Sequence, residues 1–454
     1  MGSLAGMLKA TGHDVRGSDQ NLYPPMSIQL EAQQIPVFQG YRAENLSWSP
    51  ELVVVGNAVP RTNPEVEALL QSGIEYCSMP QALGRFFITG RHSIVIAGTH
   101  GKTTTSGLAA WLTVSAGLDP AFLVGGVLRN FNASYRTGKG PWFVVEGDEY
   151  DTAFFDKESK FLHYQPRTAV ITSCEFDHAD IFRDIDAIKA AFRKFVSLVP
   201  QDGTLVAHHD DPNVRELATG CPGRVRYYST DDHKQEWWGR IVSASPVHCR
   251  MEVYQNGKLW AQVNSPLFGT HNLKNILSIA AVADSIGVTS RQFREALESF
   301  ESVRRRQEVI ADIGGIVVID DFAHHPTAVR ETILCIRMRY PLKRVWAVFE
   351  PRTNTSRRKV FQKDYVEALR LANQIIVAPV DNPGKVDESE RFSVEQLVAD
   401  LAARGASART FPSVDAIVAA VASEAKEGDV VLIMSNGGFG GIYAKLPAAL
   451  ESRR

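Results

Sequence analysis

The sequence predicts an α/β protein of three domains, and three of its features carry that prediction. Short β-branched runs alternate with longer helical stretches almost to the end of the chain, the pattern of parallel sheets joined by crossover helices. The 454 residues exceed what one core serves, and at roughly 150 residues per domain they suggest about three. A glycine-rich loop follows an early strand and opens a helix, which marks a phosphate-binding domain inside the chain.

Composition narrows the functional classes. Hydrophobic residues make up 44% and charged residues 22%, the balance of a soluble globular chain. A net charge of −2 supplies no global field for nucleic acid or an anionic membrane, so any bound anion must be met locally. Cys77, Cys174, Cys221, Cys249 and Cys335 stand singly without metal-ligand spacing, which suits a reducing compartment. With no apolar run near the roughly 20 residues of a membrane helix and no signal-peptide pattern, the expected location is the cytoplasm.

In chain order, Met1 to Met7 reads as a helix already under way, stopping at Gly12 before a strand end at Val15–Asp19. A doubly wound nucleotide-binding domain opens with a strand and a glycine-rich turn before such a helix. The chain is therefore expected to start late, without its first strand. Further strands are expected at 52–55, 93–97, 143–145, 169–172, 316–319, 345–349, 374–377 and 430–434. Breaks in composition near 84–92 and 301–306 divide the chain into expected domains 1–90, 91–303 and 304–454.

The strand at 93–97 runs into Gly98-Thr99-His100-Gly101-Lys102-Thr103-Thr104, then a helix. Glycines let backbone N–H groups curl around phosphates, the helix N-terminus adds a positive dipole end, Lys102 neutralises phosphate charge and the Thr103 hydroxyl can ligate Mg²⁺. The strict Walker spacing fails by register, because Ile96 stands where its first glycine belongs.

The strand at 143–145 delivers Glu146, Asp148, Glu149 and Asp151 at its C-terminal end, the edge where α/β sheets bind ligands. Alone, such a loop is more often a solvated turn; behind a phosphate loop it reads as a cation site. The next strand ends in Glu175-Phe-Asp-His178-Ala-Asp180, where His178 is either structural or a metal ligand. Asn272 and Asn275 open a helix after Gly269 and either cap it or read an adenine edge. Arg304-Arg305-Arg306 is either a solvated run or a phosphate clamp between domains. Asp320-Asp321-Phe-Ala-His324-His325-Pro326, Glu350-Pro351-Arg352 and Ser435-Asn436-Gly437 through Gly441 each follow a strand of the third domain. The glycine cluster there is a second possible anion nest.

Taken together, these motifs resemble the Mur ligase superfamily over essentially the whole chain. Its pattern is a GTxGKTT loop, a strand-end Glu, a strand-end His, an HNxxN helix start, an RR pair and DDxxHHP. Here these are Gly98–Thr105, Glu146, His178, His271–Asn275, Arg305–Arg306 and Asp320–Pro326. The resemblance implies a Rossmann-like UDP-binding first domain, a central P-loop ATPase domain and a Rossmann-like third domain for the incoming amine. It implies ATP at Gly98–Thr104, Asn272, Asn275, Arg306 and Asp321, and magnesium on Thr103, Glu146 and His178, directly or through water. Lys102, Glu146, His178 and Arg306 would be catalytic, with His324 or His325 as the base that takes the amine proton.

Two departures from the family stand out. Where many members carry a carbamoylated lysine, Phe192 stands here between Lys189 and Lys194, so no carbamoylation is expected. The second is the missing first strand.

Within the family, the wording at Tyr23–Met26, 149–156, 175–182, 321–326 and 435–441 is similar to the peptide-adding branch. That implies UDP-N-acetylmuramate and the murein tripeptide L-alanyl-γ-D-glutamyl-meso-diaminopimelate as substrates, with Asn57 in the sugar-nucleotide domain and Arg352, Ser435, Asn436 and Gly437 on the peptide side. Such an enzyme would act in peptidoglycan recycling, as a monomer or weak dimer. The alternatives are the L-alanine-adding branch and, more distantly, a P-loop phosphotransferase or switch NTPase.

Overall fold

A computed structural model describes all residues except 23–25, 180, 381, 383, 385 and 454, so the matches at Tyr23–Pro25 and Asp180 lie outside the described residues. The expected strands are present with their ends moved by at most a few residues, and the described residues form two large sheets and three two-stranded ones.

The ten-stranded central sheet has at its heart the parallel run Arg224–Ser229, Thr204–His208, Thr168–Ile171, His92–Ala97, Trp142–Gly147 and Ala121–Leu128. Its strands read as continuous apolar runs because both faces are covered. Ile94, Ile96, Val144 and Val170 point to one face, under the helices Lys102–Ser115 and Thr270–Ser285. Val95, Ala97, Val145 and Ile171 point to the other, under Ile185–Ser197 and Pro212–Ala218. Each such aliphatic side chain contributes roughly 1.5–3 kcal/mol by leaving water. Parallel packing also places every strand's C-terminal end on one side, which gathers the predicted motifs along one edge.

The six-stranded third sheet runs in the order Glu308–Ile313, Ile316–Asp321, Val430–Met434, Val345–Phe349, Gln374–Val377, Ala408–Thr410. In the first 90 residues, Gly17–Asp19 pairs with Val37–Gln39 and Leu52–Val55 with Glu75–Ser78, each pair parallel. The helix Gly2–Ala10 precedes them and docks on the central domain, burying Leu4 and Met7 and setting Ser3 Oγ 2.9 Å from Ser134 Oγ. Among the described residues no helix is long and apolar enough to cross a membrane.

The expectation of parallel sheets throughout needs correction at the edges. Trp237–Ala244 joins the central sheet parallel to Arg224–Ser229, Cys249–Gln255 and Lys258–Ser265 then extend it through antiparallel hairpins, and Glu308–Ile313 pairs antiparallel with Ile316–Asp321. Turn chemistry explains two of these hairpins. Asn256 and Gly257, with φ of 49° and 75°, and Gly314 and Gly315, with φ of 60° and 74°, are two-residue loops of left-handed residues that match strand twist.

The link between the second and third sheets is unusual for its lack of glycine. Ser302, Arg305 and Gln307 hold φ of 69°, 62° and 51°, at a cost of about 1 kcal/mol or more each. Backbone bonds from Arg304 N to Val127 O and Phe322 N to Arg305 O, both 2.9 Å, hold it in place.

Asp211 ties this scaffold to the cleft. Its carboxylate caps the helix Pro212–Ala218 by accepting from Asn213 N (2.9 Å) and Val214 N (3.2 Å), and accepts from Cys174 N at 2.8 Å in the segment that leads to His178. Replacing it with alanine is expected to lower unfolding stability by about 1–2 kcal/mol. Urea denaturation of Asp211→Ala beside wild type checks this, and an unchanged midpoint would contradict it.

Candidate active site

The phosphate loop is shaped by close backbone approach. Gly98, at φ 132°, lies so near the neighbouring strand end that a Cβ there would come within 2.1 Å of Thr172 Oγ1 and 2.9 Å of Ser173 N. Lys102 folds back over the loop, donating to Gly98 O (2.7 Å) and Glu149 Oε2 (2.8 Å) with 9% of its surface exposed. Burial alone would lower its pKa, but Glu149 and its neighbouring acids outweigh burial and raise it, so the ammonium stays charged.

The Thr103 hydroxyl donates to Glu146 Oε1 at 2.9 Å, and Gly125 N donates to Glu146 Oε2 at 2.8 Å. Burial and then Asp148 raise the Glu146 pKa, as befits a carboxylate short of cation partners. Arg306 Nη2 comes from the third-domain side to 3.2 Å from Thr103 Oγ1. The structure thus brings Lys102, Thr103, Glu146 and Arg306 together around the phosphate loop.

His178, the third residue of the expected magnesium set, packs against an acid of the neighbouring strand end. Held at φ 52°, it faces Glu149 Oε1 at 3.3 Å. Glu149 is therefore the residue that sequence reasoning placed in the acidic strand end without giving it a role. Burial would raise its pKa, yet Lys102 and His178 pull it down to about 2, while the Glu149 contact outweighs burial and raises that of His178. Only its place just past the strand that carries Glu146 hinted at this relay.

Two neighbouring arginines part company. Arg305 turns into the third domain, with Nε 2.9 Å from Asp320 Oδ2 and Nη2 2.8 Å from Ser435 O, while Arg306 turns to the phosphate loop. Asp321 fixes the link by accepting from Gln307 N and Ala323 N, both at 2.8 Å.

The two histidines also differ. His325 caps the helix Pro326–Arg339, accepting from Thr327 N at Nδ1 (3.3 Å), with Nε2 3.3 Å from Phe176 O, so both nitrogens are engaged. His324 has Nδ1 3.0 Å from Phe322 O; a carbonyl only accepts, so Nδ1 carries the proton and Nε2 the lone pair. Burial lowers the pKa of both rings, that of His325 to about 4. Across from them, Glu175 Oε2 accepts from Thr327 Oγ1 (2.7 Å) and lies 3.2 Å from His100 Nε2, whose ring is tilted by 42° against that of His325 at 4.6 Å.

A cavity of about 430 Å³ lies between the central and third domains, bordered by His100, Thr104, Asn272, Asn275, Arg306 and Asp321. Neither asparagine caps its helix, whose N-cap is Gly269; Asn272 donates to Phe268 O at 2.8 Å, and Asn275 donates to Asn272 Oδ1 at 3.1 Å. Asn57 is exposed in a first-domain turn and does not border this cavity. Arg352, Ser435, Asn436 and Gly437 meet at the end of the third sheet. A Cβ on Gly437 would lie 2.1 Å from Arg352 Nη1, Ser435 Oγ donates to the Glu350 carboxylate, and the buried Asn436 Oδ1 has no hydrogen-bond partner among the described residues. Phe192 is wholly buried against Phe161, Lys189 pairs with Glu216, and Lys194 pairs with Glu158 at 2.8 Å.

A phosphate loop, a hydroxyl–carboxylate cation pair, and a third domain that lends an arginine across a link define a multidomain ATP-driven synthetase. Family comparison agrees. Residues 1–90 match the Mur ligase family catalytic domain, 96–283 the Mur ligase middle domain, and 305–437 the Mur ligase glutamate ligase domain. The chain belongs to the Mur ligase family, whose members are ATP-dependent enzymes that form carbon–nitrogen bonds. It is 40% identical over 456 residues to the UDP-N-acetylmuramate–L-alanyl-γ-D-glutamyl-meso-2,6-diaminoheptandioate ligase of Escherichia coli, covering 100% of this chain and 96% of that one. The crystal structure of a murein peptide ligase from Psychrobacter arcticus superposes with a TM-score of 0.72 at 36% identity, covering 99% of this chain and 96% of the other. A UDP-N-acetylmuramate–L-alanine ligase from Caldanaerobacter subterraneus is 32% identical, covering 100% of this chain and 95% of that one.

Glu149→Gln is expected to lower ATP-dependent turnover by about 10²-fold, because Lys102 and His178 lose the charge that positions them. Its pH signature is specific. The depressed pKa of Glu149 contributes stability that is present above its ordinary value of 4.5 and lost as pH falls toward 2. The raised pKa of His178 contributes stability that is present below 6.5 and lost as pH rises through its folded value. The Tm gap between wild type and Glu149→Gln is therefore widest between pH 4.5 and 6.5. A gap that does not vary with pH would remove this account.

Proposed function

We propose that this chain joins L-alanyl-γ-D-glutamyl-meso-diaminopimelate to UDP-N-acetylmuramate, with cleavage of ATP to ADP and phosphate, in the reuse of cell-wall peptide. The observation that carries the reading is the end of the third sheet. There Arg352 lies against Gly437, beside Ser435 and the unpartnered acceptor of Asn436, a polar sheet end that suits an amine substrate larger than alanine. The 40% identity to a ligase named for that tripeptide supports it.

In this reading the lactyl carboxylate of the sugar nucleotide, bound by the first domain with Asn57, attacks the γ-phosphoryl group of ATP. The acyl phosphate formed is attacked by the L-alanine amine, releasing phosphate and leaving an amide. Lys102 leaves Glu149 in part to meet the phosphates, and Arg306 approaches them from the opposite side; charge neutralisation and position supply most of the catalysis. Asn272 and Asn275 face the adenine and Asp321 the ribose, in the cavity they border. Thr103 Oγ1 and Glu146 Oε1, hard oxygens 2.9 Å apart, suit magnesium, with His178 reaching it through water. When bound, the ion neutralises charge on the phosphate oxygens. His324 Nε2, the ring nitrogen with a lone pair, takes the proton from the attacking amine, whereas His325 is held by its cap and by Phe176 O. Closure of the third domain keeps water from the acyl phosphate.

ADP release is the test, measured with UDP-N-acetylmuramate, ATP and Mg²⁺ and either the tripeptide or free L-alanine. Turnover with the tripeptide and not with L-alanine is expected. Turnover with L-alanine would move the chain to the alanine-adding branch, and ATP hydrolysis without either co-substrate would make it an NTPase.

A further inference from the structure

We propose that His100, Glu175 and His325 form a binding site for a transition-metal dication of the zinc type, distinct from the Thr103–Glu146 pair and bridging the central and third domains. One ligand atom from each of the three side chains lies within 4.8 Å of the other two, and His100 Nε2 is 3.2 Å from Glu175 Oε2. Two imidazoles and one carboxylate are the three-ligand set of an open zinc site, in which the fourth position is left to water or another ligand. Here that position has somewhere to face, because His100, Glu175 and Thr327 all border the interdomain cavity.

Donor chemistry separates the two sites. Magnesium takes oxygen ligands and sheds water reluctantly, so it belongs with the Thr103 hydroxyl and the Glu146 carboxylate; nitrogen donors select zinc, cobalt or nickel. The second shell also suits a metal site. Thr327 donates its hydroxyl to Glu175 Oε2 (2.7 Å), and the Phe176 carbonyl accepts from His325 Nε2 (3.3 Å), which leaves the lone pair on Nδ1, where a metal would replace the 3.3 Å contact from Thr327 N–H. The rings of His100 and His325 lie 4.6 Å apart, tilted by 42°, which places the two imidazoles side by side across the domain boundary.

The site's origin gives it a consequence. His100 belongs to the phosphate loop and Glu175 to the segment after the strand Thr168–Ile171, whereas His325 caps the first helix of the third domain's sheet. A metal on all three would tie the phosphate loop to the third domain and oppose the movement that admits and releases nucleotide. Zinc is therefore expected to slow turnover at saturating Mg²⁺, and added Mg²⁺ is expected not to relieve the inhibition.

The test reads binding directly, so its failure leaves the ligase reading standing. The full chain, without nucleotide and in excess Mg²⁺, is titrated with Co²⁺ as a spectroscopic stand-in for zinc. Roughly one equivalent is expected to bind, with visible ligand-field bands and no thiolate-to-cobalt charge-transfer band. Glu175→Gln and His325→Gln are each expected to weaken it by about 10-fold or more, whereas Glu146→Gln, which alters the magnesium pair, should leave it unchanged. Thermal unfolding of each variant without metal confirms its fold, and His100→Gln serves if one of the others fails to fold. The proposal is overturned if the three variants bind like wild type, if the bands show sulfur ligation, or if no Co²⁺ binds below about 1 mM. In the last case the trio is only a hydrogen-bonded latch between the domains.

Discussion

The cleft depends on keeping one positive charge dry. Lys102 is buried at the C-terminal edge of a parallel sheet, where an isolated ammonium would carry a desolvation penalty of several kcal/mol. Glu149 offsets that penalty at 2.8 Å, and Gly98 O takes a second proton of the ammonium at 2.7 Å. Because Glu149 also faces His178, the same carboxylate sets the place of the histidine, and His178 adopts left-handed backbone to reach it. Three strand ends are thereby locked into one geometry by one buried anion.

Two features of the scaffold make that arrangement possible. Parallel strands with both faces covered send every strand end to the same edge, so residues far apart in sequence, such as Thr103, Glu146 and Arg306, come within hydrogen-bonding distance. The link at 302–307 then delivers the third domain at a fixed angle through left-handed residues that are not glycine. Strain of that kind persists only where surrounding contacts over-determine it. Here the Asp321 bonds to Gln307 N and Ala323 N supply the constraint.

Much of this was legible in the chain. The strand at 345–349 was expected and found at the same residues, as were those at 374–377 and 430–434, because uninterrupted β-branched runs bounded by turn residues have few other solutions. The phosphate loop was legible because the glycines at 98 and 101 have a backbone role that few other residues can fill. The antiparallel edges were missed although Asn256-Gly257 and Gly314-Gly315 are strong turn signals, since the parallel pattern dominated the reading. Glu149 was visible as one acid among four, with nothing local to set it apart.

The sequence by itself determined the elements, their order and the chemical inventory: β-branched runs, glycine turns, one loop lysine, and acids and histidines at strand ends. These follow from local sterics and from burial, which act within a few residues. Only the tertiary structure decided which of these groups meet. Arg305 and Arg306 are adjacent and alike in chemistry, yet one holds Asp320 and the other reaches Thr103. His324 and His325 are adjacent too, yet one keeps a nitrogen lone pair while the other caps its helix and packs at a tilt against His100. Such differences arise from the direction in which a backbone leaves its strand and from which charge lies across the cleft, and neither is a property of the residue or of its neighbours in sequence.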